Sequence, residues 1–78
     1  MNAKENEILF LVEENEDGSF SARAASHPIY TEAASLDELK IDIMDAITCH
    51  FDDEAHIPSV IRLHIVKDEV LFYAKTAA

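Results

Sequence analysis

Five side chains within seven residues carry ligand-type chemistry: His50, Asp52, Asp53, Glu54 and His56. Neutral imidazole and ionised carboxylate are the forms that bind zinc or a related divalent ion, so His50, Asp53 and His56 are the candidate metal ligands. The spacing matches neither a H-E-x-x-H helix pair nor a cysteine-pair site. A histidine ending a helix also has a purely structural use, because a cationic or hydrogen-bonding group there complements the helix dipole. The structural reading is therefore preferred, and no cofactor is expected. Cys49 is the one cysteine and falls on the polar face of the predicted helix, so a passive thiol is expected. No serine, cysteine or carboxylate pair shows nucleophile or acid–base spacing. Gly18, the lone glycine, cannot build a phosphate-cradling loop. These absences point away from an enzyme.

The second chemical feature is charge. Sixteen acidic residues against six basic ones give a net charge of −10, and the isoelectric point is near 4.5. A domain this acidic is repelled by phosphate backbones and anionic lipids, so direct nucleic-acid or membrane binding is not expected. A basic partner is its electrostatic complement. No apolar run approaches the ~18 residues that cross a bilayer, and Ile8–Val12 is too short for the core of a signal peptide. A single cysteine leaves no internal disulfide, and a cytoplasmic location is expected.

At 78 residues and 8.7 kDa the chain is read as one domain, 1–78. Area scaling gives about 4,700 Å² folded against about 12,600 Å² unfolded, enough burial for one modest core. The elements follow from the pattern. Glu7–Val12 is a continuous apolar run of strand length, and Asp17-Gly18 is a turn pair. Phe20, Ala22 and Ala24 then alternate with polar residues, which makes a hairpin. Ser26-His27-Pro28 breaks that strand, and Ile29–Glu32 makes a short third one.

Ser35-Leu36-Asp37-Glu38 is a capping box. Leu36, Leu39, Ile43, Ile47 and Phe51 follow on one face of a helix from about Leu36 to Phe51, with Asp37, Glu38, Asp42 and Asp45 opposite. That acidic stripe is either a solvated face or a docking surface for a basic partner. Asp52–Glu54 disfavour further helix at its negative end. Ile61, Leu63 and Ile65 alternate in a strand. Lys67-Asp68 is read as a tight turn and Val70–Ala74 as a final strand. The expected fold is α+β, β-β-β-α-β(-β), an antiparallel or mixed sheet with one amphipathic helix on one face.

A helix of about 16 residues is about 24 Å long and covers one sheet face. Leu9 and Leu11 point away from Ile8, Phe10 and Val12, and Leu71 and Tyr73 oppose Val70 and Phe72. An uncovered apolar face marks association. Leu9, Leu11, Leu71 and Tyr73 are therefore the expected interface, and a dimer or larger assembly is expected.

Taken together, Asp17-Gly18-Ser19-Phe20, the breaker at Pro28 and Ser35-Leu36-Asp37-Glu38-Leu39 resemble the HicB-like antitoxin superfamily across about Ile8 to Ala74. His50-Phe51-Asp52-Asp53, Pro58, Ile61–His64 and Asp68–Leu71 resemble its short stand-alone subgroup. The resemblance implies a non-enzymatic domain that self-associates and neutralises a small basic RNA-cleaving toxin by binding it. Two family glycines are missing; Ile29 and Ala33 stand near their places. The DNA-binding segment usual in full-length antitoxins is not expected here. Some relatives carry the name of a 2-oxoisovalerate dehydrogenase subunit, but 78 residues with one glycine leave no room for a thiamine-diphosphate site. Two other readings stay open: a metal-binding or enzymatic protein using His50, Asp53 and His56, and a homo-oligomer holding a small ligand between subunits.

Overall fold

The computed structural model describes residues 6–75. Strand β1 is Glu7–Glu14, β2 is Phe20–Ala24 and β3 is Tyr30–Ala33; helix α1 is Leu36–His50, and strand β4 is Val60–Val66 after a single 3-10 turn at Glu54–His56. The four strands form one mixed sheet in the order β3-β2-β1-β4. The β1–β2 and β2–β3 pairs are antiparallel, and β4 lies parallel to β1. The fold is thus the α+β arrangement expected, with α1 on one face.

The hairpin turns where the Asp-Gly pair stands. Gly18 has φ +89°, a region open to glycine without cost. The Asp17 carboxylate accepts from both the amide and the hydroxyl of Ser19, at 3.0 and 2.6 Å. At the start of α1 the Ser35 hydroxyl accepts from the Glu38 amide at 3.2 Å, satisfying a donor that the helix leaves free. Helix α1 stops at His50, and the next residue, Phe51, is already extended, its amide bonding back to the Ile47 carbonyl.

Alternation in the strands and the 3.6-residue period in the helix converge on one core. Ile8, Phe10 and Val12 of β1 meet Ala22 and Ala24 of β2, Ile29, and Leu39, Ile43 and Ile47 of α1. Full burial of Phe10, Val12, Leu39, Ile43 and Ile47 stabilises the fold by roughly 1.5–3 kcal/mol for each side chain. Small alanines on β2 let the helix sit close, and α1 packs chiefly on β3 and β2. The inner face of β4 is consequently only partly covered: Ile61 and Leu63 are half-buried, and Ile65 is exposed.

The chain departs from expectation after β4. Lys67–Lys75 is neither strand nor turn, so Val70–Ala74 makes no fifth strand. A two-residue hairpin at Lys67-Asp68 needs φ above zero at one or both central positions. No non-glycine residue described adopts such a φ, and no glycine stands there. Instead the segment runs on past the end of the sheet, where Asp68 lies beside Glu14, Asn15 and Glu16. Leu71 and Tyr73 therefore do not share a sheet face with Leu9 and Leu11. The chain exposes 6384 Å² against about 4,700 Å² for a folded protein of its mass, and the uncovered segment after β4 contributes to that excess.

Candidate functional site

The acidic residues of α1 lie along its solvent side, where the core-facing spacing of Leu39, Ile43 and Ile47 puts them. Asp37, Glu38 and Asp45 are exposed and Asp42 is half-buried. At 100° per residue, Glu38, Asp42 and Asp45 fall on one flank, while Asp37 turns toward the flank carrying Lys40 and Met44. None of the four takes part in an ion pair among the described residues. The stripe is thus a concentration of uncompensated negative charge on a rigid element.

The candidate ligand trio, His50, Asp53 and His56, does not converge. His50 stands against His27 and Phe51, with ring centroids 5.4 and 4.9 Å apart in edge-to-face geometry. His27 also meets Phe51 edge-on at 5.4 Å. These three rings close the end of the helix over the loop after β2, a contact that spacing along the chain gives no hint of. Asp53 caps the 3-10 turn through the Ala55 amide at 3.0 Å and faces His56 Nδ1 at 3.5 Å, both side chains well exposed. Among the described residues no group of three or more His, Cys, Asp or Glu side chains is placed to hold a metal ion. Cys49 is exposed on α1.

The sheet face away from α1 carries Leu9 and Leu11 at its centre, both half-buried. The register sets Arg62 beside Leu9, and His64 and Arg23 beside Leu11, with Tyr30 next to Arg23. Long cationic stems lie along apolar neighbours while their heads reach water, so this face is mixed rather than broadly apolar. Arg62 closes a two-pronged pair with Glu7, Nε to Oε2 at 2.8 Å and Nη2 to Oε1 at 3.1 Å. The guanidinium hydrogen bond holds the Glu7 carboxyl below the ordinary glutamate value and raises Arg62 in return. Arg23, Arg62 and His64 project from this face together with Glu7 and Glu13, so it carries both signs of charge.

The apolar surface left open lies elsewhere. Between α1 and β4 is a shallow cleft of about 180 Å³ lined by Lys40, Ile43, Met44, Ile61 and Leu63. Beyond β4, Val70, Leu71, Phe72 and Tyr73 are 72, 84, 91 and 87% exposed. Among the described residues no helix is long and apolar enough to cross a membrane.

No protein-family model matches the chain, and no solved structure does. Two curated relatives do. A UPF0150 protein of Archaeoglobus fulgidus is 52% identical over 46 residues, covering 59% of this chain and 68% of the relative. A UPF0150 protein of Thermotoga maritima is 36% identical over 64 residues, covering 82% of this chain and 89% of the relative. With identity at that level over most of the second relative's length, the chain belongs to the UPF0150 family.

Proposed function

We propose that this protein is a non-enzymatic interaction domain of HicB-like, antitoxin-like type, which self-associates and sequesters a small basic partner protein. The observation that carries the reading is the acidic stripe of α1. Glu38, Asp42 and Asp45 lie on one flank, uncompensated by any ion pair among the described residues, on a chain of net charge −10. Like charges at Glu38 and Asp42 weaken the helix by a few tenths of a kcal/mol. A basic surface docked there relieves that repulsion and is steered to it by the field. Self-association uses Leu71 and Tyr73, which the single chain leaves exposed, together with the half-buried Leu9 and Leu11 on the sheet.

The test is affinity capture of the tagged protein from its native cells. The expected result is a small basic protein recovered near one-to-one, released by raised salt, and lost when Glu38, Asp42 and Asp45 are all changed to lysine. Recovery of the bait alone, or of a partner indifferent to the triple charge reversal, contradicts the proposal.

A further inference from the structure

We infer that Val70–Tyr73 is an exchanged strand: in the assembled protein it pairs with the open edge of β4 in a second copy and covers the α1–β4 cleft there. The inference rests on the self-association proposed above and specifies how it is built.

Three features of one chain fit together. The first is the donor. Val70, Leu71, Phe72 and Tyr73 are β-formers in a row, 72–91% exposed, and a run of four exposed apolar residues is a liability in a free chain. The second is the acceptor. Among the described residues β4 is an edge strand whose outer side is unpaired, and it is seven residues long. It contains no proline, and its one arginine, Arg62, is engaged by Glu7, so the edge is little protected by the devices that usually blunt one. Beside it, the cleft bounded by Ile43, Met44, Ile61 and Leu63 is apolar and open, because α1 sits over β2 and β3. The third is direction. The segment leaves its own β4 toward Glu14–Glu16 instead of turning back on it, so its own edge stays vacant.

A second copy related by a two-fold axis near Val66–Lys67 answers all three at once. Each β4 with its extension runs antiparallel to the other, and each extension lies along the partner's β4 edge, an isologous contact that closes on itself. With the axis at Lys67, Leu71 lies opposite Leu63 of the second copy and Tyr73 opposite its Ile61, over the cleft, while Val70 and Phe72 take the opposite face. The four side chains expose roughly 600 Å². Reciprocal exchange buries this area on each chain together with the edge it covers, reaching the ~800 Å² per partner of a standard stable interface. Folding back in cis requires a turn that Lys67-Asp68-Glu69 does not form; association supplies the same pairing without it.

The decisive experiment uses full-length chains in a Cys49→Ser background. Chains carrying Leu71→Cys are mixed with chains carrying Leu63→Cys and treated with a short bis-maleimide, with Thr31→Cys on the opposite edge strand as the control acceptor. The expected result is a covalent heterodimer with Leu63→Cys and at least tenfold less with Thr31→Cys. In parallel, Leu71→Asp/Phe72→Asp is expected to weaken association at least tenfold with an unchanged far-ultraviolet circular dichroism spectrum, since these residues lie outside the folded body. Chains that associate but give no preferential Leu71–Leu63 product overturn the exchange while leaving self-association standing. Monomeric chains overturn both.

Discussion

At Gly18 the backbone turns through φ +89° with nothing within 4 Å of where a Cβ would stand. The cost of a side chain there is therefore conformational, with no steric clash to add. Gly18→Ala is expected to lower stability by about 1–2 kcal/mol, read as a shift of the urea midpoint at constant slope. An unchanged midpoint would mean that the turn relaxes to another conformation. The Asp17-Gly18 turn was legible because its residue types act locally. The Glu7–Arg62 pair was not, since it joins residues 55 apart in sequence and exists only because β4 lands beside β1. The same holds for His50, whose rings of contact, His27 and Phe51, come from a loop and a cap rather than from the acidic cluster that follows it in sequence.

Helix α1 illustrates what an element reveals by itself. Its cap, its apolar period and its end follow from Ser35, from Leu39, Ile43 and Ile47, and from the acids after Phe51. Ser35→Ala is expected to cost about 1 kcal/mol and Ser35→Asp close to nothing, because either a hydroxyl or a carboxylate can accept from the Glu38 amide; thermal unfolding of the three proteins checks this. Equal losses for both variants would remove the cap from the account. The strands were legible as strands but their partners were not. Period-two alternation gives a face to Ile61, Leu63 and Ile65, yet nothing in it distinguishes a parallel neighbour of β1 from an antiparallel one. Val70–Tyr73 shows the same gap more sharply. Its composition is that of a strand, but whether it pairs, and with which chain, depends on a turn and an edge outside the segment.

For the whole molecule, exposed apolar residues concentrate along β4 and beyond it, with Ile41 and Met44 also open on α1. Acids lie on the outer side of α1, and the opposite sheet face mixes both signs, Arg23 and Arg62 beside Glu7 and Glu13. A chain of 78 residues with one modest core gains stability by covering such a strip, since marginal domains of this size draw on association. The acidic surface then remains free for a basic partner while the β4 side is occupied by a second copy. Multi-angle light scattering of the full-length protein at micromolar concentration tests this account most directly. A mass of at least two chains, each 8.7 kDa, is the predicted result; a single-chain mass that persists as concentration is raised tenfold would contradict it.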